Sequence, residues 1–404
     1  MKKDILFLCQ FFYPEHNSSA TLPFDTAKYL AEQGYSVGAL CGYPKEYSDD
    51  KNVLLKETVA GIDIERLHYV QLKRAKKIGR LINYFSFTFK AFLNLWKCKN
   101  YKSVIVYSNP PVLPFVPVLA HLLFDTKILF VAYDVYPEVA YASHSLRKGS
   151  IIDLGMRFIN KLMYKRVTKV IALTDEMRQF LLKNRQNLTS DRVVTIANWA
   201  HEKKYLPNEE AYKRFGYENK QFVVAYFGNM GICQDMETLM GAAKLLKDDS
   251  RVKFLFIGHG NKKEAIRRQI QDEKLINVQE MDFLTGEDFE QAVAISSCCV
   301  VSLEKGLMGT CAPSKYYSYL QGGQPILAVV EKESYLAKEV EKERIGYAVE
   351  VGDSDGLVKK IIYMLEHHDE CQKMGERAEK LYKTKYAYDI AMKKYEKVVG
   401  ESVT

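Results

Sequence analysis

The stretch Ala312-Pro-Ser-Lys-Tyr-Tyr-Ser-Tyr-Leu-Gln-Gly-Gly-Gln-Pro-Ile-Leu-Ala328 decides the fold, because it has the order of a helix start, a short helix, a glycine stop and a buried strand. Pro313 presets φ and Ser314 can cap the helix, which leaves backbone N–H groups and Lys315 free to face an anion such as phosphate. Two glycines then end the helix, and Pro325–Val330 has the length and β-branching of a strand. An ordinary helix–strand connection has the same pattern, so the stretch predicts an α/β sheet and leaves the anion site open.

Similar combinations of a helix and a strand occur along the whole chain of 404 residues. Short apolar strands alternate with amphipathic helices in the first half and again from Phe222 onward, which predicts parallel sheets covered on both faces. A chain of this length is expected to form two domains of roughly 200 residues each. The polar segment Lys203–Asn219 separates the two series, and the helical tail Gly356–Val399 is broken near Lys383–Tyr386. We predict an N-terminal domain of residues 1–200, a C-terminal domain of residues 201–384, and a final helix, residues 385–404, that crosses back to the first domain.

The composition narrows the class of protein. Its 58 Lys and Arg against 50 Asp and Glu give a net charge of +8, which suits an anionic partner without distinguishing a nucleotide from an acidic membrane surface. The eight cysteines form no CxxC pair, which is typical of buried thiols in a reducing cytoplasm. The histidines form no HExxH or other ligand cluster, so we predict no metal. Cations are dispersed apart from one cluster, and without a nucleic-acid motif we predict no nucleic-acid partner.

Neither a signal peptide nor a membrane span is expected. Met-Lys-Lys-Asp runs directly into the strand-like segment Ile5–Cys9, without an apolar region or cleavage site of the kind that a signal peptide needs. The longest apolar stretch, Pro110–Phe124, contains prolines and His121 and falls short of the roughly 20 residues that span a bilayer. These features predict a cytoplasmic protein.

Three ordered motifs in the second half of the chain carry a resemblance to a known family. They are Phe227-Gly-Asn-Met-Gly-Ile-Cys-Gln234, Phe256-Ile-Gly-His-Gly260, and the opening stretch with Pro313-Ser-Lys315 and Gly323-Gln-Pro325. In this order they resemble the donor domain of GT-B glycosyltransferases of family 4, most closely the bacterial polysaccharide branch that includes N-acetylfucosamine-type transferases. The resemblance implies a GT-B fold, in which two Rossmann-like domains face a central cleft and the second binds a nucleotide sugar.

The first half is similar to the same family at three places, Cys9-Gln-Phe-Phe-Tyr-Pro-Glu15, Asp134-Val-Tyr-Pro-Glu138 and Ile196-Ala-Asn-Trp-Ala200. The resemblance therefore covers nearly the whole chain and is weakest between about Lys45 and Asn100. It implies a retaining, metal-independent enzyme without a cofactor, in which the departing phosphate can take the proton of the acceptor. No protein nucleophile of the glycosidase kind is then required.

The donor side of the implied site is a glycine-rich turn together with Lys315. As the nucleotide-sugar bond breaks, negative charge grows on the diphosphate, and preorganised N–H groups with a cation stabilise that charge. Glycines in the turn let the backbone approach a ligand closely, although a tight strand-to-helix turn alone would need them as well. The expected donor-binding residues are Gly228, Asn229, Gly231, Gln234, Gly258, Ser314, Lys315 and Ser318.

Two departures from the family pattern affect the donor site. Counting back from Gly323-Gln-Pro325, the two glutamates of the family fall here at Thr310 and Ser318, and the second of them would bind the ribose. Ser318 can form a hydrogen bond but lacks the charge-assisted strength of a carboxylate. Gln234 stands near the place of a cation that often contacts the diphosphate. Charge neutralisation is therefore expected to depend on Lys315, on helix N-termini or on a cation from elsewhere.

The acceptor side of the site is predicted in the first domain. Asp134 and Glu138 follow the buried strand Leu129–Tyr133, so their carboxylates are expected at the carboxyl edge of the sheet, where α/β sites lie. Asp134 is the first choice for an acceptor-side base or for a residue that orients the acceptor, and a helix cap is the alternative. We expect the catalytic residues to be Lys315, Asp134 and Glu15.

The segment Pro14–Ala20 is expected to add acceptor-side groups. Glu15 could bind an acceptor hydroxyl, and His16 could act as an acid or base near neutral pH. Ser18 and Ser19 could cap the following helix and turn its N–H groups toward the site. A solvated loop with a capped helix explains the same residues.

A basic cluster, Lys73–Arg80, precedes the aromatic segment Leu81–Trp96 in the first half of the chain. This combination resembles an interfacial membrane patch. The alternative is that the aromatic residues belong to the core and that the cations lie in a solvated loop. Because family enzymes of polysaccharide assembly commonly use polyprenyl-linked acceptors, we expect peripheral association with the inner face of the cell membrane. The predicted patch residues are Lys73, Arg74, Lys76, Lys77, Arg80 and Trp96.

The sequence thus predicts a retaining glycosyltransferase that moves an N-acetylated sugar from a UDP-type donor to a lipid-linked or saccharide acceptor during synthesis of a capsule or O-antigen-like polysaccharide. An epimerase of nucleotide sugars shares the architecture, but its carboxylate and histidine constellation is not identifiable. A non-catalytic GT-B module, which binds a nucleotide sugar or serves as a partner of an active subunit, stays open because the two glutamates are missing.

Overall fold

The computed structural model describes residues 2–44, 52–72, 77–201, 209–218 and 221–404. The chain forms two compact units, each built around one sheet. The first unit comprises Met1–Asn198, Gly309–Ala312 and Asp389–Thr404, and the second comprises Trp199–Met308 and Pro313–Tyr388.

The first unit contains an eight-stranded sheet. Its strands are β1 (Lys3–Cys9), β2 (Val37–Gly42), β3 (Lys56–Val59), β4 (Ile62–Leu67), β5 (Tyr101–Tyr107), β6 (Lys127–Ala132), β7 (Lys169–Ala172) and β8 (Val193–Thr195). Its helices are α1 (Ser18–Glu32), α2 (Lys77–Leu93), α3 (Phe115–Phe124), α4 (Glu138–Ala142), α5 (Ile151–Arg166) and α6 (Asp175–Asn184), with short 3-10 helices at Leu95–Asn100 and Ser190–Arg192. The strand order is β3-β4-β2-β1-β5-β6-β7-β8, and every pair is parallel except β3 with β4.

The second unit contains a six-stranded, fully parallel sheet in the order β11-β10-β9-β12-β13-β14. The elements are α7 (Glu209–Phe215), β9 (Phe222–Asn229), α8 (Glu237–Leu245), β10 (Val252–His259), α9 (Lys263–Asp272), β11 (Val278–Met281), α10 (Gly286–Ala294), β12 (Cys298–Ser302), α11 (Lys315–Gln321), β13 (Ile326–Val329), α12 (Tyr335–Lys342), β14 (Gly346–Val349), α13 (Ser354–Glu366) and α14 (His368–Leu381). Strands of this apolar, continuous kind are typical of sheets buried on both faces.

The final helix, α15 (Tyr388–Val403), follows a π-helical turn at Tyr382–Tyr386. Its residues from Asp389 onward belong to the first unit. There Tyr29 donates a hydrogen bond to Glu396 at 3.0 Å, and the hydroxyl of Ser103 donates to the carbonyl of Ser402 at 3.0 Å. The predicted return of the last helix to the first domain is confirmed.

In each sheet the strand order reverses at one place, between β1 and β5 in the first unit and between β9 and β12 in the second. Open α/β sheets bind ligands outside the carboxyl ends of the strands at this switch point, because the two following loops diverge there. Gln10 and Ser108 follow the two strands at the first switch point, and Met230 and Leu303 follow those at the second.

The predicted α/β class with two parallel-sheet domains is confirmed. The hairpin of β3 and β4 was not predicted, since its residues lie in a stretch whose polarity indicated a loop. The aromatic segment Leu81–Trp96 is not one helix, because α2 ends at Leu93 and the chain then tightens into a 3-10 helix. None of the helices in the described ranges is both long and apolar enough to cross a membrane.

Candidate active site

Two glycines bring the ends of β9 and β10 together in the second unit. Gly228 has φ +118°, in the left-handed region that favours glycine, and it pairs with Gly258 across the sheet. A Cβ atom on Gly258 would lie 1.9 Å from the carbonyl oxygen of Gly228, so no other residue fits there. The glycine-rich turn is therefore a point of close backbone approach at the carboxyl edge of the sheet.

Lys315 lies beside this turn. It is the first residue of α11, and its Nζ atom lies 3.8 Å from the centroid of the Tyr226 ring and donates a hydrogen bond to the Tyr226 hydroxyl. A Cβ atom on Gly228 would lie 3.7 Å from the same Nζ atom. Burial lowers the pKa of Lys315 to about 7. The structure thus places the predicted cation beside the predicted glycine turn.

Tyr226 was not predicted, although it holds Lys315 in place. Its side chain is fully buried in β9, and its hydroxyl donates to the carbonyl oxygen of Asn229 at 2.7 Å. The hydroxyl oxygen is then free to accept from the Lys315 ammonium, while the ring face stabilises the same charge. The only sequence signal is an aromatic residue two positions before the glycine.

Of the remaining turn residues, some hold the turn together and one has an exposed side chain. Gln234 accepts a hydrogen bond from the Gly231 N–H at 3.1 Å, so its amide closes the turn. The side chain of Asn229 is exposed, and its amide nitrogen would lie 2.6 Å from a Cβ atom on Gly231. Gly231 therefore packs against the Asn229 side chain, and Asn229 is the turn side chain that is open to a ligand.

A second cation, Lys262, reaches the same turn from the start of α9. Its Nζ atom donates to the carbonyl of Gln234 at 2.8 Å, to Glu237 at 2.8 Å and to Glu304 at 2.7 Å. Burial opposes the charged form, but the two carboxylates outweigh it and raise the pKa of Lys262. Sequence reasoning missed this residue, although it closely follows the motif that ends at Gly260.

Asp235, Glu237 and Glu304 form the group of acidic side chains that could hold a metal ion, as far as the described ranges show, with ligand atoms within 4.8 Å of one another. Lys262 contacts two of these carboxylates, and Asp235 accepts hydrogen bonds from the N–H and the hydroxyl of Thr238. The cluster therefore already contains a cation that balances part of its charge. The absence of a metal from the reaction stays a prediction.

The stretch Ala312–Ala328 differs from its prediction in one respect. Ser314 has helical dihedral angles, φ −60° and ψ −29°, and makes no side-chain capping bond. The predicted cap is wrong, because a capping serine needs an extended conformation to reach the N–H groups of the first turn. Ser318 lies in the middle of α11, three residues after Lys315, and is half-buried. Thr310 is buried in the first unit and its carbonyl accepts the Val135 N–H at 2.7 Å.

In the first unit, Asp134 follows β6 closely. Its N–H donates to the Ser108 hydroxyl at 3.0 Å, and its backbone forms a bridge with Cys311. Burial raises the pKa of the Asp134 carboxyl to about 6. The alternative of a helix cap is wrong, because Pro137 occupies the N-cap position of α4. Asp134 is therefore a carboxyl group whose protonation changes near neutral pH, at the carboxyl edge of the sheet.

Glu138 is held in a structural ion pair. Arg185 donates to both carboxylate oxygens, at 2.8 and 2.5 Å, and also to the carbonyl of Tyr136 at 3.1 Å. A bidentate pair of this kind is strong and geometrically specific. Its evident role is to fix the loop after Asp134.

The segment after β1 is only partly as predicted. Glu15 is buried and His16 is exposed. Asn17 occupies the N-cap position of α1, while Ser18 and Ser19 are the first helical residues. The predicted capping by the two serines is wrong, because the helix begins at Ser18, one residue earlier than capping by Ser18 would require.

The predicted membrane patch lies partly outside the described residues. Lys73, Arg74 and Lys76 lie outside them, and of Lys77 only the backbone is described, as the first residue of α2. Arg80 is half-buried.

The α2 helix has one buried and one exposed apolar face. Tyr84, Phe87 and Ala91 are buried, whereas Phe85 is 48% and Phe89 59% exposed. The alternative that the aromatic residues belong to the core therefore holds for the buried face, and the membrane patch stays a prediction for the exposed one.

Neighbouring helices extend the exposed apolar face. The α3 helix packs against α2, α5 and the 3-10 helix that contains Trp96. All of these elements expose large apolar side chains, and an exposed apolar area of this extent usually marks an interaction site. We call these residues the apolar helix surface: Ile78, Leu81, Ile82, Phe85, Phe89, Phe92, Leu93, Trp96, Leu122, Leu123, Ile151, Ile152, Leu154 and Phe158.

Solved structures with the same architecture define the fold as GT-B. Sucrose-phosphate synthase from Thermosynechococcus elongatus has a TM-score of 0.76 at 15% identity, and the match covers 99% of each chain. HepE from Anabaena, solved with UDP and glucose, has a TM-score of 0.72 at 15% identity and covers 99% of this chain and 100% of HepE. The chain is therefore a GT-B protein with two parallel-sheet α/β domains.

The second half of the chain also matches a family model. Residues 208–381 match the model described as Glycosyl transferases group 1. The probable glycosyltransferase WbjE of Pseudomonas aeruginosa is 26% identical over 261 residues, which are 64% of this chain and 64% of WbjE. The putative colanic acid biosynthesis glycosyl transferase WcaI of Escherichia coli (strain K12) is 20% identical over 339 residues, covering 80% of this chain and 82% of WcaI.

Proposed function

We propose that the protein is a retaining glycosyltransferase of family 4 that transfers an N-acetylated sugar from a UDP-type donor to a lipid-linked or saccharide acceptor in bacterial surface polysaccharide synthesis. The observation that carries this proposal is the position of the Lys315 ammonium beside the glycine-rich turn of the second unit, 3.7 Å from where a Cβ atom on Gly228 would lie. The match to the group 1 model supports it, as do the UDP and glucose bound by HepE and the colanic acid pathway in the name of WcaI.

On the donor side, Lys315 supplies the positive charge. Lys262 is balanced by two carboxylates, whereas Lys315 has no carboxylate partner among the residues that the structure describes. An ammonium group preorganised beside the turn stabilises the charge that develops on the departing diphosphate. Asn229 and Ser318 are the polar side chains that we assign to donor binding with it, and Gly228, Gly231 and Gly258 let the backbone approach.

On the acceptor side, Asp134 orients the acceptor hydroxyl or accepts its proton. A carboxyl group with a pKa of about 6 is mostly ionised at neutral pH and still basic enough to help a proton transfer. Glu15 and His16 are assigned to the acceptor side as well. In a retaining step the acceptor hydroxyl loses a single proton, which either the departing phosphate takes on the same face of the sugar, with Asp134 orienting the hydroxyl, or Asp134 takes itself.

The proposal includes no cofactor and no metal, because Lys315 supplies a positive charge at the turn. Transfer is therefore expected to continue in EDTA. Activity that is lost in EDTA and restored by manganese would contradict this part of the proposal.

The proposed reaction is tested by UDP release from a panel of UDP-, GDP- and dTDP-sugars. Lys315→Ala is expected to lower turnover by about tenfold or more, because the leaving group loses its cation. Lys359→Ala, a change at an exposed lysine of α13, is the matched control and is expected to retain full turnover. Near-normal kinetics of Lys315→Ala would overturn the assignment.

A non-catalytic GT-B module is the second candidate, since Ser318 replaces a ribose-binding glutamate and Gln234 is used to close the turn. The same donor panel separates the two functions. Thermal stabilisation by a nucleotide sugar, without transfer or hydrolysis, would favour the module.

We also propose that the apolar helix surface, with the basic cluster before it, rests on the anionic inner face of the cell membrane. Exposed aromatic and aliphatic side chains insert at the headgroup boundary, and cations attract anionic lipids. Such an orientation suits a lipid-linked acceptor, because the acceptor-binding unit then lies at the surface that presents it.

A further inference from the structure

Glu339 is a buried carboxylate in the middle of α12. Its side chain is 4% exposed, and the hydroxyls of Tyr316, Tyr335 and Tyr386 donate to it at 2.7, 2.6 and 2.7 Å. The ammonium of Lys385 lies 2.5 Å from one of its oxygens. Burial, together with the charge of Glu339, raises the pKa of the three tyrosines, so their hydroxyls keep their protons and can donate.

Glu339 thereby joins three elements of the second unit. Tyr335 lies with it on α12, Tyr316 lies on α11, and Tyr386 lies in the π-helical turn before α15. The ring of Tyr386 also packs edge-on against those of Tyr316 and Tyr317, with centroids 6.2 and 5.1 Å apart. Turns of the π-helical kind are rare and occur mostly at functional sites. The carboxylate therefore ties this turn to α11.

Two tyrosines anchor α11, one next to Lys315 and one a turn further on. The helix has seven residues, so it forms few hydrogen bonds of its own, and side-chain contacts decide where it lies. Tyr316, which directly follows Lys315, is held by Glu339. Tyr319 is buried, and its hydroxyl accepts the Phe227 N–H at 3.1 Å, at the strand end that leads into the glycine-rich turn. The place of Lys315 beside that turn therefore depends on both anchors.

A buried charge is a poor source of stability, because desolvation offsets most of what its contacts contribute. A fully hydrogen-bonded carboxylate can instead fix one arrangement of the elements around it. We propose that Glu339 is a positioning residue, which holds the Lys315 ammonium beside the glycine-rich turn by fixing Tyr316 at the start of α11. This inference rests on the proposed function, in which Lys315 binds the diphosphate.

Calorimetric titration with UDP tests the proposal through a double-mutant cycle. If Glu339 acts through Lys315, its loss matters only while Lys315 is present. Glu339→Ala is expected to weaken UDP affinity by about fivefold in the unaltered background and by less than about 1.5-fold in the Lys315→Met background. Tyr316→Phe removes one donor and keeps the ring, so a loss of about threefold is expected, again only while Lys315 is present.

Two further variants separate positioning from a general loss of packing. Glu339→Gln keeps the capacity for these hydrogen bonds and is expected to bind UDP within about twofold of the unaltered protein. Tyr217→Phe is the matched control for Tyr316→Phe. It removes a buried hydroxyl that has no partner in the described ranges, and is expected to bind UDP normally.

If Glu339→Ala does not fold, Tyr316→Phe carries the same test. Undiminished UDP affinity in the folded variants, or the same loss in both backgrounds, would overturn the inference.

Failure of the proposed function gives a different result. If the unaltered protein does not bind UDP, the donor assignment is refuted, and the position of Lys315 is measured instead by the pH at which acetic anhydride modifies it. Peptide mass follows this modification, and its midpoint is expected near pH 7 in the unaltered protein and in Tyr217→Phe, because burial lowers the pKa of Lys315 to about 7. In Glu339→Ala and Tyr316→Phe the midpoint is expected to rise by about one pH unit or more, since a displaced ammonium regains water. Equal midpoints in all four proteins would overturn the positioning role of Glu339.

Discussion

The two switch points of this protein are built from the same topology but from different side chains. At the second, between β9 and β12, glycines bring the backbone close and two lysines reach the turn from α9 and α11. At the first, between β1 and β5, the groups are uncharged amides, and a carboxyl group of raised pKa, Asp134, follows the next strand, β6. The second switch point therefore offers cations to a ligand, whereas the first offers uncharged side chains and one carboxyl group.

Under the proposed function, this difference would let one sheet architecture serve both substrates of a transfer reaction. In both units the strands only place the loops, and the loop residues decide the charge of the ligand. The outer surfaces differ as well, since the apolar helix surface belongs to the first unit. A lipid-bearing acceptor and a soluble, charged donor would need this asymmetry.

The largest expected effect concerns the apolar helix surface. Replacing both Phe85 and Phe89 with Ser is expected to lower partition onto anionic liposomes by about 100-fold, because each half-exposed ring loses about 1.5 kcal/mol of burial in lipid. Flotation measures the bound fraction, and charge reversal of Lys73, Arg74 and Lys76 is expected to weaken binding further at low salt.

The control for this experiment is Phe283→Ser, a change at an exposed aromatic residue of the second unit. Its flotation is expected to match that of the unaltered protein. Equal flotation of all variants would refute the membrane surface and remove one difference between the two units.

The next effect concerns Asp134. Its pKa is raised by burial to about 6, so kcat/KM is expected to rise with pH through that value as the carboxylate forms. Asp134→Asn is expected to lower turnover at pH about 8 by about tenfold and to remove the rising limb. Since the folded-state pKa lies above that of the unfolded chain, ionisation of Asp134 destabilises the fold as pH rises, so Asn is expected to raise the Tm more at high pH than at low pH.

A pH profile that keeps its rising limb in Asp134→Asn would assign the limb to another group. Glu138→Gln serves for comparison, because its carboxylate is paired with Arg185. It is expected to lower the Tm and to leave the shape of the pH profile unchanged.

A smaller effect is expected for Tyr226, the residue that positions Lys315. Tyr226→Phe keeps the ring below the ammonium and removes one hydrogen bond, so turnover is expected to fall by about fivefold. Burial lowers the pKa of Lys315 to about 7, so activity is expected to fall as pH rises and Lys315 in the donor complex loses its proton. Tyr226→Phe is expected to shift the pH at which this fall occurs. Tyr226→Leu, which also removes the ring, is expected to be more severe.

If Tyr226→Phe and Tyr226→Leu had the same turnover and the same pH profile as the unaltered protein, Tyr226 would have no positioning role. A loss of turnover with an unshifted profile would indicate a purely structural role for the ring.

Much of this fold follows from patterns that are local in the sequence. The parallel sheets were predictable because fully buried strands form continuous apolar runs, and the nearness of Lys315 to the glycine-rich turn follows from the order of motifs at strand ends. Lys262 was not predictable, since its three partners lie on separate elements that only the tertiary fold brings together.

The errors have a common physical cause. The capping roles of Ser314, Ser18 and Ser19 depend on the dihedral angles of a single residue, and a sequence pattern does not locate a helix start to one residue. The exposed face of α2 was equally undetermined, because the helix is apolar on two faces and packing against α3 decides which face is buried.

The central claim is that Lys315 makes the second switch point a site for a nucleotide diphosphate. Calorimetric titration with UDP tests it most directly, on the unaltered protein, on Lys315→Met and on the control Lys359→Met. We predict that Lys315→Met weakens UDP affinity by about tenfold or more, because one charge-assisted contact to phosphate is lost, while the control binds normally. Equal UDP affinity in all three proteins would contradict the account.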